Sequence, residues 1–424
     1  MEIKITPRKL SGTIDAMPSK SHAHRILIAR KLAEIQGNCP ENRQEIPAFS
    51  EDIKSTMACL AQLDKSNPYL ECGESGSTLR FLLPVVMALK NSATFLGKGR
   101  LPDRPISPLK EEMERHGCRF SMGKSKNTDR FKEICRIDGR LTSGEFIIPG
   151  NISSQFITGL LFALPLLDGD SFISLTTPLE SAGYIEMTLE VLGQFGIDIA
   201  VETDEAGLLT YGIPGNQIYR EPERLMPDGD WSNAAFWLAA GALSGDMTVR
   251  GLNLNSCQWD KEILNILAFM GADIDIETDA NGLSNIRAKA GNLKGVEVDV
   301  SQIPDLAPIL AVLMSFAEGT SMISHGERLA FKESNRMKTI YAMLYALDAD
   351  ISYGGDRLSF TGKAYLNGGS ADSHGDHRIA MACAIASCLC SCPIYLTNPD
   401  AVSKSYPEFF SDFEAFGGCI EITA

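Results

Sequence analysis

Lysine, arginine and hydroxyl side chains recur where helix-like runs begin, which is the pattern that a site for small anions requires. Pro18-Ser19-Lys20-Ser21-His22-Ala23-His24-Arg25 puts Lys20 and Ser21 at a helix start, with Arg25 one turn beyond Ser21 on the same face. Cys72-Gly73-Glu74-Ser75-Gly76-Ser77-Thr78-Leu79-Arg80 offers a bare glycine backbone that lets a phosphate approach closely. No Gly-Lys-Ser/Thr follows it, so a nucleotide-binding loop is poorly supported. Asp103-Arg104-Pro105 fixes an arginine before a rigid turn, and Ser153-Ser154-Gln155 supplies two hydroxyls and an amide at a helix start. Lys332-Glu333-Ser334-Asn335-Arg336, Asp376-His377-Arg378 and Lys404 complete the series. Helix N-termini carry unpaired N–H groups and partial positive charge, each worth roughly 0.3–1 kcal/mol to an anion when exposed. Any one such loop reads first as an ordinary cap. Six such loops, several of them carrying cations, favour an anion site in one cleft.

The elements that would position these groups form an internal repeat. A short loop of Gly, Pro, Ser or Asp precedes an apolar helix, then a Gly-containing stop and a strand. The instances begin at Pro18, Cys72, Pro149, Pro227, Ser301 and Ser373. Their spacing is mostly roughly 70–80 residues, with a shorter first interval, so each is a small α/β subdomain rather than a solenoid turn. Gly37, Gly169 and Gly245 lie near helix stops. MEIKI, GEFIIP and GVEVDV alternate as strands do. EDIKSTMACLAQL, SPLKEEMERHG, YIEMTLEVLGQFG, KEILNILAFMG and ESNRMKTIYAMLYAL supply a second helix per unit, with apolar residues three and four apart.

The 424 residues exceed one ordinary core, so two domains are expected. A net charge of -15 argues against nucleic acid or an anionic membrane as partner. The 11 scattered cysteines read as reduced, mostly buried thiols of a cytoplasmic chain. The start lacks the apolar run of a signal peptide. Ile379–Leu396 carries no charge, but Pro393 cuts it, and a helix buried in a soluble core is expected rather than a span.

The strings PSKSHAHR, ESGSTLR, DRPISPL, SSQF, SAGYIE, IPDLAP, FKESNR, GDHR and SKSYPEFF stand in the order found in EPSP synthases, from Pro18 to Phe410. The chain therefore resembles that enolpyruvyl transferase family over nearly its whole length. The resemblance implies an inside-out α/β barrel of six βαβαββ units, three per domain. The domains would be 1–17 plus 229–424 and 18–228, joined by a double-stranded hinge near residues 18 and 228. It implies transfer of the enolpyruvyl group of phosphoenolpyruvate to the 5-hydroxyl of shikimate 3-phosphate, toward chorismate and the aromatic amino acids. The family expectation is a monomer that uses no metal and no organic cofactor.

By the same resemblance, shikimate 3-phosphate falls to Lys20, Ser21, Arg25, Ser153, Ser154, Gln155, Ser181, Tyr184, Asp305 and Lys332. Phosphoenolpyruvate falls to Lys20, Gly76, Arg104, Gln155, Glu333, Arg336, Arg378 and Lys404. The reaction needs an acid at C3 that later acts as base, a base for the hydroxyl, and cations for the leaving phosphate. Asp305 is the expected base, and Lys20 and Glu333 share the candidacy for the C3 proton.

Blander readings stand beside these. Arg80 and Arg115 read as helix-surface charges, whereas Arg25 does not. Asp305 after Pro304 has the position of an N-cap, and Glu333 beside Lys332 that of a solvated pair. His22 and His24 have no suitably spaced Cys or carboxylate, so zinc is rejected. Cys388, Cys390 and Cys392 read as core packing. Three positions depart from the family: Glu74 for a usual asparagine, Gly183 for a proline, and Ala330 for an arginine, with Arg328 two residues earlier. The rival enzyme, a UDP-N-acetylglucosamine enolpyruvyl transferase, uses a loop cysteine that GKGRLPDRP lacks. A non-catalytic anion-binding paralogue is the rival from another class.

Overall fold

Segments that are apolar on every face become helices buried on every face. In Trp231–Ser244 all residues are buried, and Gly76–Leu89, Ser154–Ala163, Ala307–Phe316 and His377–Ala386 are nearly so. A helix apolar all round belongs in a core, with something else between it and water. Here that covering is sheet. The computed structural model describes residues 1–123 and 128–423. It divides into two compact units, one of Met1–Ser19 with Asp228–Ala424 and one of Lys20–Pro227. Each has its own hydrophobic core.

Five four-stranded sheets share one topology. In the Lys20–Pro227 unit, Tyr69–Glu71 runs parallel to Ser92–Gly99, with the buried helix Gly76–Leu89 as the crossover between them. Two antiparallel strands follow, Thr128–Gly139 and then Cys118–Met122. Glu145–Ile148, Ser171–Leu175, Leu209–Ile213 and Ala200–Thr203 repeat the order around helix Ser154–Ala163. In the other unit Glu297–Asp299, Thr320–Ser324, Arg357–Thr361 and Asp350–Gly354 do so around Ala307–Phe316.

The last two sheets use the start of the chain. Ser11–Asp15 pairs parallel with Asp246–Asn253, and Glu2–Thr6 lies between Ile394–Thr397 and Cys419–Ile422. The first residues are thereby held in the unit that contains the last ones. The first repeat forms its helices, Lys20–Ile35 and Glu51–Ala61, but residues 36–49 and 214–227 run as loops. Pro40, Pro47, Pro214, Pro222 and Pro227 remove ladder donors from both segments.

The order strand, buried helix, strand places the N-termini of the crossover helices at the C-terminal ends of parallel strands, where open α/β sheets carry their sites. Ser75, Ser153, Asp230 and Asp376 cap four of these helices through their side chains. The uncharged run at Ile379–Leu396 is shorter as a helix than expected. His377–Ala386 is helical and buried, Ser387–Leu389 is a 3-10 turn, and Ile394–Thr397 is a strand. No helix among the described residues is long and apolar enough to cross a membrane. Cys388 and Cys390 are buried in the core, whereas Cys392 is exposed.

Candidate active site

In the Lys20–Pro227 unit, the first helix begins at Lys20, whose ammonium reaches the Asp52 carboxylate at 2.8 Å. Arg25, one turn beyond Ser21, is 2% exposed and points into the unit. Its Nε donates to Thr188 Oγ1 (2.8 Å), Nη1 to the Ser21 carbonyl (2.6 Å) and Nη2 to the Tyr184 carbonyl (2.8 Å) and Thr158 Oγ1 (3.4 Å). Burial pushes its pKa down to about 9, partly opposed by Tyr184. Arg25 therefore ties Ser21, Tyr184 and the Ser154 helix into one block. Ser181, also buried, takes a left-handed conformation (φ 56°) ahead of helix Ala182–Gln194.

A second group gathers around Gly76, the first residue of its helix. A Cβ there would lie 2.6 Å from Arg104 Nη1, so the glycine is what lets this guanidinium lie against the helix end. Gln155 donates from Nε2 to Ser77 Oγ at 3.0 Å, and Ser153 caps its own helix by accepting from Gln155 N at 3.3 Å. Arg80 corrects the sequence reading. It is not a surface charge but is 4% exposed, because its helix is buried on all faces. Its Nη1 donates to Gln155 Oε1 (2.7 Å) and its Nη2 to the Pro105 carbonyl (3.0 Å), joining Gln155 to the turn that carries Arg104. Arg115 is exposed, as a helix-surface charge should be. Glu74 lies against Gly99, whose Cβ would run into the carboxylate.

The second unit centres on Arg336, 1% exposed, at the first position of helix Arg336–Ala346. Its Nε meets Asp376 Oδ2 at 2.8 Å, its Nη1 meets Asp305 Oδ1 at 2.5 Å, and its Nη2 meets Glu333 Oε2 at 2.7 Å. Three carboxylates raise its pKa well above the ordinary arginine value, although burial alone would lower it. Asp305 also lies 3.3 Å from Lys332 Nζ and 3.4 Å from Arg378 Nη2. It caps no helix: the helix Ala307–Phe316 starts after Leu306 without a side-chain cap. Lys332 pairs with Asp305, and Glu333 with Arg336, so the two neighbours are not a solvated pair with each other. Burial lowers the Lys332 pKa, and Arg336 and Arg328 add to that against Asp305. Lys404 Nζ donates to the Gly375 carbonyl at 2.6 Å, in the loop just before Asp376.

Two residues of this cluster stand outside the expected site residues. Asp376 accepts from Arg378 N (3.0 Å), Ser334 Oγ (3.1 Å) and Arg336, so it caps a helix and neutralises a buried cation together. Its place in the string with Arg378 was the only pointer. Asp260 lies on the turn Trp259–Glu262, buried and hydrogen-bonded to the Ser232 hydroxyl. Burial first and the Asp305 charge second push its pKa up to about 6, opposed by Arg378 and Ser232, with Asp230 adding to the rise.

The two clusters thus hold the chemistry of anion binding and proton transfer. Lys20, Arg336 and Arg378 stand at helix starts and meet carboxylates, and the carboxylate of Asp305 is surrounded by three positive groups. A sequence model described as EPSP synthase (3-phosphoshikimate 1-carboxyvinyltransferase) matches residues 62–413. The chain is 39% identical to a 3-phosphoshikimate 1-carboxyvinyltransferase of Clostridium novyi, over 99% of this chain and 98% of that one. It is 40% identical to another of Clostridium perfringens, over 99% of both chains. An EPSP synthase structure from Acinetobacter baumannii superposes with a TM-score of 0.76 at 21% identity, covering 100% of each chain.

Proposed function

The chain belongs to the EPSP synthase family, and with that as premise we propose how its residues move a carboxyvinyl group from phosphoenolpyruvate to the 5-hydroxyl of shikimate 3-phosphate. The observation that carries the reading is Asp305, a carboxylate within 3.4 Å of Arg336, Lys332 and Arg378. The same cations suit an anionic substrate, and the carboxylate at their centre is the proton acceptor of this reading.

Asp305 takes the proton of the 5-hydroxyl as that oxygen attacks C2 of phosphoenolpyruvate. Protonation at C3, by Lys20 or Glu333, makes C2 electrophilic. The tetrahedral adduct then loses the C3 proton and inorganic phosphate, with the carbon–oxygen bond to phosphate breaking. Arginine suits the phosphate and carboxylate of phosphoenolpyruvate because its planar fork binds both bidentately. Arg104, Arg336 and Arg378 take that part, with Lys404 as a point charge beside them and with Gly76 and Gln155. Ser21, Ser153, Ser154, Gln155, Ser181, Tyr184 and Lys332 hold shikimate 3-phosphate, and Arg25 supports them through Ser21 and Tyr184. The aligned substrates supply roughly 7–11 kcal/mol of barrier reduction at most through proximity. The chain passes between units at Ser19–Lys20 and Pro227–Asp228, where Ser19 N donates to the Asp228 carbonyl at 2.7 Å. That double crossing is the hinge of this reading.

The test is phosphate release from the purified protein. It is expected only when phosphoenolpyruvate and shikimate 3-phosphate are both present. Release with UDP-N-acetylglucosamine in place of shikimate 3-phosphate would change the acceptor, and silence with either would end the enzymatic reading.

A further inference from the structure

A buried relay of hydrogen bonds runs beneath the Lys20 and Gly76 helix starts and is used by none of the steps above. His24 Nδ1 lies 2.8 Å from Thr56 Oγ1, and Thr56 Oγ1 lies 2.6 Å from Thr78 Oγ1. Thr78 Oγ1 donates to Ser75 Oγ at 2.7 Å, and Ser75 Oγ also accepts from Thr78 N at 3.1 Å. All four residues are buried.

Counting protons gives this relay a single direction. A hydroxyl has one proton. Thr78 gives its proton to Ser75, so Thr78 must accept from Thr56. The Thr56 proton is then spent, so Thr56 must accept from His24. His24 therefore carries its proton on Nδ1. Its Nε2 is left as a lone pair, and that atom is buried with no hydrogen-bond partner among the described residues. Burial, with Lys20 and Arg25 adding to it, holds the His24 pKa well below the ordinary value, so the ring stays neutral and keeps this tautomer.

Every dipole in the relay points its positive end toward Ser75, the cap of helix Gly76–Leu89. There the relay adds to the positive end of the helix itself, and chained bonds polarise one another in a buried setting. Helices Lys20–Ile35 and Glu51–Ala61, which carry His24 and Thr56, meet a second time one turn earlier, where Lys20 pairs with Asp52. We propose that His24, Thr56 and Thr78 are positioning residues for phosphoenolpyruvate: their one-way relay fixes the Ser75 cap and strengthens the anion-attracting end of the Gly76 helix. The inference rests on the reading above that Gly76 serves phosphoenolpyruvate.

Steady-state kinetics of Thr56→Val, which keeps the volume but removes the hydroxyl, tests it. The KM for phosphoenolpyruvate should rise roughly five- to tenfold, the effect of about one hydrogen bond. The KM for shikimate 3-phosphate should stay within about twofold, and Thr56→Ser should restore the parent values. His24→Leu should give the same split from the other end of the relay, and decides the matter if the valine variant does not fold. An unchanged phosphoenolpyruvate KM in an active, folded variant would overturn the relay. So would an equal rise in both KM values, which is what a purely structural role produces. Turnover by the parent protein is measured first, so failure of the relay and failure of the functional reading remain distinguishable.

Discussion

Arg336 donates from Nη1 to Asp305 at 2.5 Å, and the guanidinium that makes this bond also binds Glu333 and Asp376. A cation that cannot lose its proton is thus the common neighbour of the proposed base, of a proton-transfer candidate and of a helix cap. Charge at any one of the three is felt by the other two through it.

Replacing Asp305 with alanine is expected to lower turnover by roughly 10²–10⁴, the usual contribution of a positioned base. Binding of shikimate 3-phosphate, measured by calorimetry, should weaken far less. Equal losses in turnover and binding would remove Asp305 from the role of base.

Arg336→Met leaves the wholly buried Asp376 without its counter-ion. Breaking a buried pair from one side costs about 3–5 kcal/mol, which urea unfolding will show. Arg336→Lys should recover part of the stability but little of the turnover, because an ammonium cannot reproduce the three-way fork. A methionine variant as stable as the parent would show that the network does not hold this end of the unit.

Asp260 gives a pH dependence whose sign follows from its raised pKa. The folded carboxyl titrates at about 6, above the ordinary unfolded value near 4. Between those values the folded state binds more protons than the unfolded one, so stability from this group falls as pH rises. It is fully present below about pH 4 and lost above about pH 6. Asp260→Asn cannot titrate, so its melting temperature relative to the parent should climb across that window. Parallel curves for the two proteins would refute the assignment.

Arg80→Lys is expected to reduce kcat/KM by roughly 10- to 100-fold, since one ammonium cannot bridge both Gln155 and the Pro105 carbonyl in the way the guanidinium does. The melting temperature should move little, because the charge stays. An unaltered kcat/KM would mean that Gln155 and Arg104 hold their places without this brace.

Much of this was legible in the residues themselves. Caps such as Ser75 and Asp376 are local: a side chain accepts from an N–H two or three positions away, and such spacing survives in one dimension. The helix at Ile379 could be found because its uncharged run has no face suited to water. Ordered strings such as FKESNR and GDHR named the chemistry, since the loops that carry them are contiguous.

What the chain order conceals is which side chains face one another. Arg80 has the spacing of a surface charge, and only the burial of its helix on all sides turns it inward to Gln155, 75 positions away. Asp260 and Asp305 lie far apart along the chain, yet the Asp305 charge adds to burial in pushing the Asp260 pKa up. The first repeat announces two helices, but loops rather than strands cover them, because prolines cannot complete a ladder that only distant segments could supply. Helix periods and caps are set by neighbours along the chain and were therefore fixed before folding. Charge pairing and proton affinity depend on distance and solvent exclusion, which exist only once the chain has folded.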